Sequence, residues 1–179
     1  MDDKMVDCML DMETMGITHN SVIVQIGACF FDRMSGEVGD SFIINIDIHS
    51  CIQAGLSMDA STVEWWLNQT NRTFLEKPVI HLSTALNEFY IFAHDCKYVW
   101  AHATFDFPIL FNAFNKIGIE PPFNFRSARD LRTLVDLAGI PYIKSEDRTD
   151  QDNQHDSLSD CIYQVGYASK CFNIIEGKK

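Results

Sequence analysis

A mixed α/β fold, one β-sheet with helices packed on its faces, is what the apolar patterns along this sequence predict. Three runs rich in β-branched and aromatic residues fill the first third. Helical periods fill most of the rest, with one short strand-like run between them. No internal repeat and no linker-like stretch interrupts the 179 residues, a length that suits one core rather than two.

Residues 5–11 form a short apolar run ending at an acidic pair. Residues 22–32 (VIVQIGACFFD) read as the second strand, Met34, Ser35 and Gly36 as a turn, and residues 41–47 (SFIINID) as the third strand of an antiparallel meander. Ser61 and Glu64 stand three apart in capping-box form and open a helix through Trp65, Trp66 and Leu67. Residues 81–95 place Leu82, Leu86, Phe89, Tyr90 and Ala93 at helical spacing. Residues 98–101 are a buried strand, and residues 105–117 a helix whose stripe of Ile109, Leu110, Ala113, Phe114 and Ile117 faces the core. Pro121 and Pro122 break the chain, and residues 130–138 form another helix. Residues 144–154 contain no apolar residue and read as a flexible loop, and residues 157–172 form the last helix.

Composition excludes several classes of function. Hydrophobic residues make up 46% and charged residues 22%, as in ordinary globular proteins. No apolar run is long enough to span a bilayer, and the N-terminus is acidic where a secretory signal is basic, so a cytoplasmic protein is expected. The six cysteines are scattered singly without a CxxC pair, which favours reduced, buried thiols. A net charge of −11 excludes a protein that coats nucleic acid non-specifically, yet permits one that grips a strand end. Arg126, Arg129, Arg132, Lys144 and Arg148 cluster in one region, as a strand-binding groove or as a solvated face.

Five residues carry the candidate chemistry. Asp11 and Glu13 are two apart at the end of a strand, so both side chains point the same way and can share a divalent cation. The plain alternative is a solvated strand end. Asp106 lies in the first turn of a helix just after a strand, where it either complements the helix dipole or joins a site at the strand ends. His155 and Asp160 are five apart, too far around to share one helical face. Asp160 fits the first turns of the last helix, and His155 the loop before it, placed to swing over a bound water and take its proton. A loop histidine and a helix-start acid are the ordinary readings of the same pair. Asp156 suits an N-cap better than a ligand.

Taken in order, Asp11-x-Glu13, a central Asp106 and His155-x₄-Asp160 resemble the exonuclease motifs of the DEDD superfamily in its histidine-containing, DnaQ-like (DEDDh) branch. DMETMG, STVEWWLNQ, WAHATFDFPIL and RDLRTL are similar to a small group containing phage exonuclease A and mycobacterial-type 3′→5′ exoribonucleases. The resemblance spans about residues 5–172. It implies a ribonuclease H-like mixed β-sheet flanked by helices, with residues 1–179 a single 3′→5′ exonuclease domain. It also implies two divalent cations, Mg²⁺ or Mn²⁺, and release of 5′-mononucleotides from the 3′ end of single-stranded DNA or RNA. Asp11, Glu13 and Asp160 would hold one cation, Asp11 would bridge to the second with Asp106 supporting it, and His155 would deprotonate the attacking water. His102 departs from the superfamily, which commonly has Asn four residues before the central Asp; it would bind substrate or cap the strand. Thr14, Met15 and Phe105 are the other candidate substrate contacts, with core packing the competing role for Phe105 and Met15. Of Trp65 and Trp66 one is core and the other reaches the groove or an interface. The resemblance makes a homodimer plausible. A catalytically silent nucleic-acid-binding adaptor and a purely structural domain are the rival classes, and neither needs a water-activating histidine.

Overall fold

The computed structural model of the chain describes residues 5–75, 78–141 and 154–177. The expected loop at 144–154 therefore falls outside the described residues except for Gln154, as do Lys144 and Arg148 of the basic cluster.

Strands β1 (Asp7–Thr14), β2 (Ile23–Phe31) and β3 (Val38–Asn45) form the expected antiparallel meander. Its β2–β3 turn is built by the Asp32 carboxylate, which accepts from the backbone N–H groups of Met34 and Ser35, and by Gly36 at φ 74°. Strand β4 (Tyr98–Ala101) lies parallel on the other side of β1, and β5 (Ala128–Asp130) lies parallel beyond it. The sheet order is β3-β2-β1-β4-β5. Sequence patterning misses β5, because its three residues Ala-Arg-Asp show no apolar alternation and pair through backbone alone.

Successive residues of β1 point to opposite faces, and both faces are covered. Cys8, Leu10 and Met12 join the larger core beneath α1 (Ile48–Gln53), α2 (Ala60–Leu67), α3 (Leu82–Ala93) and α4 (Asp106–Ile117). Met9 joins the second core with α5 (Leu131–Leu137) and α6 (Ser157–Ile175). A strand buried on both sides reads as a continuous apolar run, as Cys8, Met9 and Leu10 do, while the buried Asp7 before them is paired with Arg33. Asp11 and Glu13 share the parity of Met9 and so face α6.

Several elements differ from expectation; β3 begins three residues earlier and α6 runs three residues further. Strand β1 runs on to Thr14, so the acidic pair lies within it rather than at its end. Helix α1 is six residues long and capped by Asp47, too short to show a period. Helix α2 is capped not by Ser61 but by Asp59, whose carboxylate accepts from the Thr62 N–H and from the Ser61 hydroxyl. A carboxylate is the stronger acceptor at that end of the helix dipole. Among the described residues no helix is long and apolar enough to cross a membrane.

Candidate active site

The site forms where β1, the start of α4 and the start of α6 converge. Asp11 pairs in register with Gly27 on β2, and that glycine lets α6 approach. A Cβ on Gly27 would lie 2.3 Å from the Ser157 carbonyl carbon and 2.4 Å from the Leu158 nitrogen. The helix start is fastened by the Asp156 cap, which accepts from Ser159 N–H, and by Gln25, whose Oε1 accepts from Ser157 N–H at 2.8 Å. These contacts place Asp160, in the first turn of α6, over the carboxylates of β1.

Two groups of potential ligands result. Asp11, His102 and Asp106 offer ligand atoms within 4.8 Å of one another, and so do Glu13, His155 and Asp160. The five residues singled out in the sequence thus come together, with His102 as a sixth. Asp106 is 1% exposed; its Oδ2 accepts from the His102 backbone N–H at 3.0 Å, while its Oδ1 has no hydrogen-bond partner among the described residues. A buried carboxylate oxygen without a donor is costly in a native protein. A cation would complete it, and an oxygen-rich donor set with imidazole suits a divalent ion.

The electrostatics carry the same message. Burial first, then the charges of Asp106, Asp160 and Glu13, pushes Asp11 well above the usual carboxylate range. Burial and the neighbouring Asp160 and Asp106 push Glu13 up to about 8, and burial pushes Asp106 up to about 7. Burial and the nearby Arg132 push His102 down to about 4, which leaves its imidazole neutral at ordinary pH.

His155 has a tighter setting than a swinging loop residue. Its ring packs edge-on against Trp65 at 4.8 Å and against Trp66 at 5.8 Å between centroids. Its backbone takes φ 62°, the left-handed region that costs a residue with a Cβ. The residues on either side are tied down: Asn71 Nδ2 donates to Gln154 O at 2.7 Å, and the Thr73 hydroxyl donates to Asp156 Oδ2 at 3.0 Å. The expectation of a histidine that hangs loose thus gives way to one with fixed neighbours.

Beside Glu13 opens a cavity of about 430 Å³ lined by Met12, Thr14, Ile17, Trp65 and Phe105 among others. Thr14 and Phe105, two of the candidate substrate contacts, are among its lining residues. Met15 is not: it is 6% exposed, packs into the larger core and does not line the cavity. The register shift between Glu13 and Thr14 breaks the strand alternation, and Ile17, 75% exposed, stands at the cavity instead. His102 likewise does not line this cavity. The tryptophan pair divides as the sequence requires. Trp66 is 3% exposed and its Nε1 donates to Thr14 O, while Trp65 is 43% exposed at the cavity wall. Of the basic cluster, Arg129 lies over the Tyr98 ring and Arg126 over Phe125, and Arg132 is the arginine whose charge reaches His102 and Asp106.

Sequence reading missed Gln164, whose Nε2 donates to Asp11 Oδ1 at 2.8 Å. Its spacing was a usable signal, because Gln164 follows Asp160 by four residues on one face of α6. Gly27, Asn71 and Thr73 left no local signal, since each acts on residues far along the chain.

Acidic and histidine side chains gathered on a mixed sheet form a donor set that can hold divalent cations. The 3′-5′ exoribonuclease Rv2179c-like domain matches residues 6–172, and the chain belongs to that family. Among solved structures, the zinc-bound complex of E. coli exonuclease I with single-stranded DNA is similar with TM-score 0.68 and 14% identity, over 96% of this chain and 42% of that one. The same enzyme with a dT13 oligonucleotide gives TM-score 0.61 and 13% identity, over 96% and 42%. A further exonuclease I structure gives TM-score 0.67 and 13% identity, over 97% and 41%. These likenesses bear out the ribonuclease H-like fold, and the chain spans about two-fifths of the length of those proteins. No curated protein matches the chain.

Proposed function

We propose that the chain is a metal-dependent 3′→5′ exonuclease domain that releases 5′-mononucleotides from single-stranded nucleic acid. The observation that carries the reading is the pair of ligand groups, Asp11 with His102 and Asp106, and Glu13 with His155 and Asp160, brought together from three separate stretches of chain. Membership of an exoribonuclease family supports it, and the fold neighbours include exonuclease I held with single-stranded DNA.

In this reading Asp11, Glu13, Asp106 and Asp160 hold two divalent cations, Mg²⁺ or Mn²⁺. Bound there, the cations neutralise phosphate charge and ease deprotonation of the attacking water. His155 accepts that proton at its imidazole, and the edges of Trp65 and Trp66 keep the ring oriented for it. Gln164 fixes Asp11 by donating to Oδ1, which turns the other carboxylate oxygen toward the ligand group. The cavity beside Glu13 has the size of a small-molecule site and receives the terminal nucleotide. Phe105 and Trp65 offer it aromatic faces that stack on any base, and Thr14 lies against its sugar. A reducing compartment such as the cytoplasm is part of the reading, supported by six free cysteines that are all buried; so is a homodimer, by resemblance to the group.

The test is an end-labelled assay with DNA and RNA strands of one sequence, Mn²⁺ or Mg²⁺, and the variants Asp11→Asn and His155→Ala. Shortening from the 3′ end that requires metal and is lost in both variants is the expected result, and comparing polymers identifies the substrate. Metal binding without hydrolysis of either polymer is the result an adaptor would give.

A further inference from the structure

We infer that His102 is a nitrogen ligand of the cation shared by Asp11 and Asp106, so that this position is a mixed nitrogen–oxygen site suited to Mn²⁺ or a later first-row cation more than to Mg²⁺. The inference rests on the exonuclease reading and adds to it a chemical difference between this chain and an all-carboxylate site.

Three observations lead to it. One imidazole nitrogen of His102 and one oxygen each from Asp11 and Asp106 lie within 4.8 Å of one another, close to the span of two ligand bonds of about 2.0–2.2 Å across a single ion. The buried Asp106 Oδ1 lacks a donor among the described residues, so one atom of the group is already waiting for a partner. The imidazole itself also has no hydrogen-bond partner among the described residues, although it is half-buried.

The two plainer roles for His102 are already filled or out of reach. Its backbone N–H, not its ring, ties the end of β4 to α4 by donating to Asp106 Oδ2. The nucleotide-sized cavity beside Glu13 is lined without it. What remains for the ring is the ion. Neutral imidazole favours borderline transition metals, whereas Mg²⁺ prefers oxygen and gives up its water reluctantly. The other histidine, His155, also lies within ligand distance of two carboxylates, Glu13 and Asp160, but its ring is in addition packed against two indoles, in keeping with proton transfer.

The experiment is pulsed electron paramagnetic resonance of the full chain loaded with Mn²⁺ alone, which detects coupling to a directly bound ¹⁴N. The wild type is expected to show the coupling, His155→Gln to retain it and His102→Asn to lose it. In calorimetric titrations, His102→Asn is expected to weaken Mn²⁺ binding by at least about tenfold while Mg²⁺ binding changes far less. Because a wild-type spectrum without nitrogen coupling already excludes the ligand, a poorly folded variant does not shelter the idea. Mn²⁺ binding and strand shortening without any nitrogen coupling would overturn the inference and leave the exonuclease standing. Coupling that survives His102→Asn and disappears in His155→Gln would overturn it too, by assigning the ligand to the other histidine. A wild type that neither binds Mn²⁺ nor shortens a strand would overturn the exonuclease reading itself.

Discussion

Glu13 and Asp106 hold their protons far above the ordinary carboxylate range, Glu13 to about 8 and Asp106 to about 7, because burial disfavours both ionised forms and, at Glu13, the charges of Asp160 and Asp106 add to it. In the unfolded chain both lose their protons near pH 4, so between there and about pH 8 the folded chain binds more protons than the unfolded one. Stability without metal therefore falls as pH rises through that window and levels off above it. A divalent cation reverses the sign, since it binds the ionised carboxylates of the folded state. Thermal melts in chelator at pH 5 and pH 8, repeated with Mn²⁺, check both: the chelated melt should be lower at pH 8, and the metal should raise it more there. A chelated melt that climbs steadily to pH 8 would contradict the electrostatic picture. Gln164 gives a second test at this scale. Gln164→Leu removes the N–H that holds Asp11 Oδ1, and a hydrogen bond to a charged group contributes about 1.5–3 kcal/mol. Weaker metal binding and a lower kcat should follow, with the fold retained by circular dichroism.

At the level of elements, the site depends on how closely α6 lies on β2. Gly27→Ala would put a methyl group 2.3–2.6 Å from backbone atoms of Ser157 and Leu158, which cannot rotate away as a side chain can. Overpacking of this kind costs about 1–3 kcal/mol. Here it should also lift Asp160 away from Glu13, so urea denaturation and Mn²⁺ titration should both weaken. A normal Mn²⁺ affinity in Gly27→Ala would show that the helix can shift without disturbing the site. The elements also show what could be read in advance. The meander, β4 and α4 were legible because each has a full period of apolar residues. Strand β5 and α1 were not, being three and six residues long and held by contacts made elsewhere. The acids and His155 were legible through their order and spacing. Gln164 was half-legible, four residues after Asp160 on the same helix. Asn71 and Thr73 were invisible, because their partners lie 83 residues away.

For the whole molecule, the charge of −11 restricts how it can hold a polyanion. Arg126 and Arg129 lie over aromatic rings, and Arg132 alone among the described arginines of that cluster bears on the ligand groups. A grip made by cations at one strand end, with few lysine or arginine contacts to phosphates, has a shallow dependence on salt. Strand affinity should fall by less than about tenfold between 50 and 200 mM salt, against the thousandfold or more expected of a protein with many phosphate contacts. Steep loss on a filter-binding curve would point to a basic groove that these residues do not supply. The central claim, that the gathered acids and histidines cut a strand from its 3′ end, meets its most direct test in one comparison. A linear single strand labelled at its 5′ end and the same strand closed into a circle are each incubated with the protein and Mn²⁺, alongside Asp11→Asn. The account predicts a ladder of shortening products from the linear strand, an untouched circle, and no reaction of either with Asp11→Asn; cleavage of the circle, or a variant that still shortens the linear strand, would contradict it.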